Sequence, residues 1–385
     1  MHRNFGKHTN EFRNNLEGSE ALIEEEKNHT EDYTISGELP SVTVGIPVLN
    51  EEDHIERVIS GFQSTEYPNL IEILVADGGS SDRTQEIVNK MSEGDSRIKL
   101  MQNPEKYQSF ALNRMIEEAK GDIFVRADGH CLYQEDYLEK NIKVFLTTKS
   151  KNVGGSQRYV ASNRAQAGTT LAVKSFLGNG GAKYMNENYT GYADTVFLGC
   201  FWTKDLRQIG GFSTKNITNQ DSELNLRFIE KYGEESIYIS PEIKSWYYPR
   251  STYLGLFKQY FRYGRGRLLT KLLHPKSSPI RGLIPFMFIC GLMIYGLLDF
   301  FLEQDLYFFI FLLFLIVVLL GESMRVVTKH KDNFIKENWT GESPSPGLLS
   351  LWLHSMGSIL VMQVGHFSGF LYQLIRKFLF RVKGW

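Results

Sequence analysis

Four short stretches carry side chains able to do chemistry. The run "DIFVRADGHC", residues 122–131, ends in Asp128-Gly129-His130, which places a carboxylate and an imidazole two residues apart. Such a pair can share a divalent cation. It equally suits a polar turn where a strand leaves a core, because Asp and Gly favour turns for local reasons. In "PVLNEE", Pro47, Asn50 and Glu51 follow an apolar run and open a helical pattern. Helix capping and first-turn acids account for Asn50 and Glu51 as well as ligand contact does. In "VADGGSSDRT", Asp77 ends another apolar run, two glycines allow close backbone approach, and Ser81-Asp82 suit a helix cap. Glycines before a helix suggest phosphate binding, but neither G-x-G-x-x-G nor a Walker lysine is present, which excludes the dinucleotide and P-loop readings. Asp221, in "NITNQDSELNLRF", stands at the head of a helical pattern, where taken alone it is a cap.

These residues need elements to hold them. Between residues 41 and 145, β-branched runs ("SVTVGIPVL", "IEILVAD", "RIKLMQ", "DIFVRAD") alternate with helical patterns. That rhythm predicts βαβ units and a parallel sheet covered by helices on both faces. Ligands of such sheets bind beyond the carboxyl ends of the strands. Three of the polar clusters, at Asn50-Glu51, Asp77 and Asp128-His130, fall at those ends. From 152 to 250 the alternation loosens into extended and Gly-rich pieces, with one clear helix in "SELNLRFIEKYG". "GNGGAKY" suits either an acceptor loop or tight turns, and Trp202 and Trp246 either sugar stacking or the core.

The chain has 385 residues, 42% of them hydrophobic, and a net charge of -1 that hides segregation. Residues 1–40 hold nine acids against four bases, whereas residues 250–281 hold eight bases and no acid. The second segment is expected to face something anionic. The first is expected to be a disordered acidic tail rather than a signal peptide, so that the folded part begins in the cytosol. Cys131, Cys200 and Cys290 lack any C-x-x-C pairing, which argues against disulfides and structural zinc. Beyond Arg281 the composition turns apolar. Residues 283–302 and 306–320 predict a transmembrane hairpin, and bases on both flanks put its two ends in the cytosol. Residues 348–375 are apolar but carry His354, Gln363, His366 and Gln373 and precede four bases, so a third span and an interfacial segment both remain open.

In order and spacing, "VGIPVLNEEDHIERVI", "VADGGSSDRT", "GDIFVRADGH" and "NQDSELNLRF" resemble the family 2 glycosyltransferases. "RADGH", "GNGGAKY" and "YYPRSTYLGLFKQYFRYGRGR" most resemble its succinoglycan-type exopolysaccharide glucosyltransferases. The likeness covers about residues 41 to 270. It implies an α/β GT-A fold, a Rossmann-like mixed sheet with helices on both faces, followed by the membrane hairpin and the further apolar segment. It implies that Pro47, Asn50, Glu51 and Asp77 line the pocket for base and ribose, with Asp77 accepting from the base edge. Asp128 and His130 would match the metal site, holding Mn²⁺ or Mg²⁺, and Asp221 the general base. The family usually has Glu-Asp where this chain has Gln220-Asp221, so any help from a preceding acid is lost. "QYFRY" is similar to the Q-x-x-R-W element, with Tyr263 in place of Trp, and gives Gln259 and Arg262 to a diphosphate or to a lipid surface. Lys106, Gln108 and Arg126 also match family positions, with Arg126 counted among the donor-binding residues.

The resulting expectation is an inverting, membrane-bound hexosyltransferase of polysaccharide synthesis that uses a nucleotide-diphosphate sugar and a lipid-linked saccharide. Other polysaccharide-assembly proteins are possible partners, and nucleic acid is not expected. The domains would be a tail (1–40), a glycosyltransferase domain (41–250), a basic interfacial segment (251–281) and a membrane region (282–385). The competing readings are a polyprenyl-phosphate sugar synthase and a non-catalytic sugar-nucleotide-binding scaffold.

Overall fold

The computed structural model describes residues 39–302, 305–382 and 384–385. The expected acidic tail, up to residue 38, lies outside the described residues. Nine strands form one sheet: β1 (Val42–Val48), β2 (Leu70–Asp77), β3 (Ile98–Gln102), β4 (Ile123–Arg126), β5 (Leu132–Tyr133), β6 (Asn152–Tyr159), β7 (Gly191–Tyr192), β8 (Phe197–Trp202) and β9 (Ile237–Tyr247). Their order is β3-β2-β1-β4-β8-β6-β9-β5, with β7 paired to β9. The β3-β2-β1-β4 half is parallel, as the alternating rhythm predicts, while β8 runs antiparallel to both β4 and β6.

Strand residues alternate between two cores. Ile73 and Val75 join one layer, packed under α1 (Ile55–Gln63), α2 (Thr84–Gly94) and, further along, α4 (Tyr137–Thr148). Leu74 and Ala76 join the other, under α3 (Gln108–Glu118), α7 (Thr203–Gln208) and α8 (Gln220–Tyr232). Helices therefore cover both faces, and the strand interiors read as unbroken apolar runs because both sides are buried. Trp202 belongs to the first core, with its ring 5.4 Å from that of Phe145. Two short helices, α5 (Arg164–Ala172) and α6 (Phe176–Asn179), follow β6.

After β9 comes α9 (Tyr253–Leu273), which lies on the loop before α8. The Thr218 hydroxyl donates to the Arg262 carbonyl (3.0 Å), and Asn216 Nδ2 donates to the Thr270 hydroxyl (2.8 Å). Then follow α10 (Ile284–Phe301), α11 (Asp305–Asn333) and α12 (Leu348–Phe378), and three helices here are long and apolar enough to cross a membrane. The second helix runs well past the expected boundary at residue 320. Its continuation, "GESMRVVTKHKDNF", is amphipathic: at helical spacing it buries Ser323, whose hydroxyl donates to the Trp352 carbonyl (3.0 Å), and Val326 and Val327 in a cluster with Ala161, Ala167 and Leu171. Ser175 donates to Glu322 across that contact (2.7 Å).

The third apolar segment is one continuous helix. It runs beside α9 in the same direction: Gly357 faces Tyr253, Gly369 faces Phe261, and Arg265 donates to Gln373 (3.0 Å). A Cβ on Gly264 or Gly369 would run into the backbone of the facing helix. Of its most apolar window 33% is buried, against 6% for each of the other two helices. It thus packs against α9 along much of its length.

Candidate active site

The parallel register sets Val48 opposite Asp77, so the loops after β1 and β2 leave the sheet side by side. Asn50 takes a left-handed conformation (φ 56°), and its Oδ1 accepts from Ser81 N (2.8 Å) while its own N–H donates to the Ser80 hydroxyl (2.8 Å). Asn50 therefore clamps the two loops together and does not cap α1, which begins at Ile55. Asp77 is the last residue of β2. Its carboxylate is fully buried and accepts from Gly79 N (2.8 Å), Ser80 N (2.9 Å), Gln85 Nε2 (2.6 Å) and the Ser80 hydroxyl. These bonds hold the 78–81 turn in shape. Pro47 is partly buried in β1 opposite Ala76, and Lys106, another left-handed residue (φ 64°), lies against Gly78 and Gly79.

Asp128 follows β4 directly. Its backbone is pinned by Tyr133, whose hydroxyl accepts from Asp128 N (2.7 Å) and donates to Asp128 O (3.0 Å). Gly129 is required by close packing, since a Cβ there would stand 2.9 Å from Val48 Cγ1. His130 Nδ1 meets Glu51 Oε1 at 2.9 Å. The carboxylate can only accept, so Nδ1 carries a proton, and in the neutral imidazole Nε2 keeps its lone pair. Nε2 has no hydrogen-bond partner among the described residues. Burial lowers the His130 pKa, but the Glu51 hydrogen bond and the charges of Asp128 and Glu51 outweigh it, and the net direction is upward.

Arg126, the last residue of β4, joins the two halves of the site. Its side chain is 4% exposed; Nη2 donates to Asp128 Oδ1 (3.1 Å) and Nη1 to Asp221 Oδ1. Asp221 is the second residue of α8, bonds Arg126 rather than capping, and keeps 35% of its side chain open to the cleft. Burial in the surrounding protein raises its pKa, the charge of Arg126 opposes this and that of Asp128 adds to it, and the net direction is upward.

A second bridge runs beside the first. Gln220 Nε2 donates to Gln108 Oε1 (2.6 Å), and Gln108 Nε2 donates to Asp128 Oδ1 (3.1 Å). Asp128 only accepts, so Gln108 must turn its NH₂ toward it, and its remaining carbonyl requires a donor at 220. A glutamate there would face acceptor with acceptor. Gln220 thus fits its partner, which sequence spacing could not reveal because Gln108 lies 112 residues away.

On α9, Gln259 Nε2 donates to the hydroxyls of Tyr247 (3.2 Å) and Tyr263 (3.0 Å), and the Tyr247 ring lies 5.6 Å from the His130 imidazole. Arg262 is exposed, and its guanidinium has no bonded partner among the described residues. The structure thus brings Glu51, Arg126, Asp128, His130 and Asp221 together, with Gln259 one aromatic ring away. Tyr133, Tyr247 and Arg250, whose charge reaches His130, were not singled out from sequence; the one signal for Tyr247 and Arg250 was the aromatic and basic run "SWYYPRS".

A family model described as Glycosyl transferase family 2 matches residues 43–203. The chain is similar to the succinoglycan biosynthesis protein ExoA of Rhizobium meliloti (strain 1021), with 34% identity over 65% of this chain and 76% of the relative. It is also similar to the dolichyl N-acetyl-alpha-D-glucosaminyl phosphate 3-beta-D-2,3-diacetamido-2,3-dideoxy-beta-D-glucuronosyltransferase of Methanococcus voltae, with 29% identity over 67% of this chain and 83% of the relative. Among solved structures, a mannosyltransferase from Pyrobaculum calidifontis in complex with GDP-Man and Mn²⁺ superposes with a TM-score of 0.52 at 16% identity, covering 93% of this chain and 98% of that one. The mixed sheet, covered on both faces and ending in this carboxylate-lined cleft, is that of a GT-A glycosyltransferase. The chain belongs to glycosyl transferase family 2.

Proposed function

We propose that this enzyme is an inverting hexosyltransferase that moves a sugar from a nucleoside diphosphate, a UDP-sugar, to a lipid-linked saccharide in exopolysaccharide or cell-surface glycan synthesis. The observation that carries this reading is the single buried guanidinium of Arg126 joining Asp128 to Asp221. One carboxylate then serves the donor diphosphate and the other the acceptor hydroxyl, at the two ends of one rigid side chain. In the displacement, the acceptor oxygen bonds to the anomeric carbon, the carbon–oxygen bond to the diphosphate breaks with its electron pair leaving on the diphosphate, and Asp221 takes the hydroxyl proton. A raised pKa makes Asp221 a better base than a free carboxylate.

Asp128 and His130 fit a divalent cation, Mn²⁺ or Mg²⁺. Glu51 behind His130 Nδ1 is the carboxylate support that metal-binding imidazoles use, and it leaves Nε2 as a ligand. No group of three His, Cys, Asp or Glu suited to a metal occurs among the described residues, so donor oxygens and water would complete the shell. When bound, such an ion offsets the charge that develops on the departing diphosphate. The Pyrobaculum neighbour, solved with Mn²⁺, supports this assignment. The loops holding Pro47, Asn50 and Asp77 would shape the nucleotide pocket, Asp77 through its turn, and Arg262 and Gln259 would face the diphosphate side.

The names of the two relatives, one of succinoglycan biosynthesis and one acting on a dolichyl sugar phosphate, support a lipid-linked acceptor in glycan synthesis. Helices α10 and α11 would enter the bilayer from the cytosolic side, with residues 41–250 as the catalytic domain and the basic stretch 251–281 at the surface. The test is Asp221→Asn in the full chain. Transfer should be lost while UDP binding remains; full activity would remove the mechanism, and a product with the sugar joined directly to polyprenyl phosphate would remove the acceptor class.

A further inference from the structure

A second cluster of positive charge lies where the catalytic domain meets the apolar hairpin. Arg267 projects from α9, and Arg281 sits on the short turn Ile280–Gly282 just ahead of α10. The two side chains share one recess. A Cβ on Gly282 would stand 3.0 Å from Arg267 Cδ and 3.6 Å from its Nε, so Arg267 lies flat across the turn that carries Arg281. On the far side, Gly180 of "GNGGAKY" packs against Arg281, where a Cβ would lie 3.6 Å from the arginine Cβ. Gly180 has φ +61°, so that loop reaches the recess through a conformation that glycine adopts freely.

The charges in this recess are unequally satisfied. Arg281 pairs with Asp194, whose side chain is partly buried. Arg267 has no hydrogen-bond or ion-pair partner among the described residues, although it is only partly exposed. Two guanidinium groups and one carboxylate leave a net positive charge in a confined place, and guanidinium forks match phosphate oxygens. Around the recess stand exposed apolar side chains: Ile280 (69% exposed), Ile284 (45%), Phe176 (64%) and Leu177 (37%). A ligand that satisfies both features has an anionic head and a hydrocarbon tail. Tyr184, from the same Gly-rich stretch, lies within electrostatic reach of Arg267, Arg281 and Asp194 and also of Asp221.

The geometry points to Arg267 and Arg281 as the head-group site for an isoprenoid diphosphate that carries the acceptor saccharide. The inference rests on the lipid-linked acceptor proposed above and assigns its phosphates to particular residues. The diphosphate replaces the missing counter-ion of Arg267, the tail leaves past Ile280 and Ile284 along the hairpin, and the sugar extends past Tyr184 toward Asp221.

The test uses the full chain in dodecyl maltoside micelles, with farnesyl diphosphate as probe and farnesol as the phosphate-free control. Arg267→Ala should weaken farnesyl diphosphate binding by about tenfold, the loss of one charge-assisted fork. Gly282→Ala, which keeps every charge but crowds Arg267 Cδ, should weaken it in the same direction by a smaller factor. Farnesol binding should not respond to either change. Retained UDP binding reports an intact fold; if Arg267→Ala loses it, Gly282→Ala decides. Unchanged farnesyl diphosphate affinity in the variants overturns the site. In nanodiscs, full displacement of the probe by phosphatidylglycerol overturns it in favour of bulk lipid. Arg267-dependent binding without any transfer to a polyprenyl-diphosphate saccharide would leave the site standing and the proposed function failing. Transfer whose acceptor KM ignores Arg267→Ala would do the reverse.

Discussion

The donor-side loops and the α9 surface differ in how their polar groups are satisfied. Around Asn50, Glu51 and Asp77 nearly every polar atom is already bonded: Asp77 to its own turn, Asn50 to Ser81, Glu51 to His130. On α9, Arg262 and Arg267 hold charge for which no partner is seen among the described residues. The first arrangement is shaped before any ligand arrives, so little ordering cost remains at binding. The second is completed from outside, by an anionic ligand or surface. The same cleft thus combines a preformed half with one that waits for its counter-charge.

Arg126 stands on the boundary between these halves, and the largest expected effect comes from the group it holds on the acceptor side. Asp221→Asn should lower kcat by about 10²–10⁴-fold, the usual range for a lost general base, with UDP affinity kept by calorimetry. If donor affinity fell as far as kcat, the division into halves would be wrong. Glu51→Ala strikes the preformed side; freed of its support, His130 should bind metal about 10–100-fold more weakly, read from a Mn²⁺ titration of UDP binding. An unchanged Mn²⁺ requirement would remove His130 from the metal site. Gln220→Glu should turn the Gln108 amide and cost Asp128 a hydrogen bond, weakening Mn²⁺ affinity about tenfold or less. Improved activity in that variant would refute the donor-acceptor logic of the pair. Arg262→Ala should change least, raising the donor KM a few-fold at low salt, with the difference shrinking as salt screens an exposed charge. A salt-independent effect would mean that Arg262 is buried in the working complex.

Much of this was legible in the sequence where the signal is local. Strand ends at Val48, Asp77 and Arg126 show as period changes in the hydrophobic pattern, and polar residues at those ends mark the cleft. What was not legible depends on residues far apart in the chain. His130 finds Glu51 across 79 positions and Asp221 finds Arg126 across 95, and no spacing rule encodes either pairing. The bonding of Asp77 to its own turn escaped for another reason: it depends on the loop conformation that also recruits Gln85, eight residues on. The continuation of α11 beyond residue 320 was readable, since "MRVVTKHKDNF" keeps helical spacing after the apolar run stops.

The glycine seam between α9 and α12 has a mechanical consequence. Where backbones touch directly there are no long side chains to repack, so the two helices transmit displacement as one stiff beam. Gln259 and Arg262 stand on its inner member beside the cleft, and at the same level its outer member packs Phe367 and Phe370 against Phe286 at the root of the hairpin. With the hairpin seated in a bilayer as proposed, a tilt imposed by a thinner or thicker membrane would be delivered to the sugar-transfer cleft instead of being absorbed on the way.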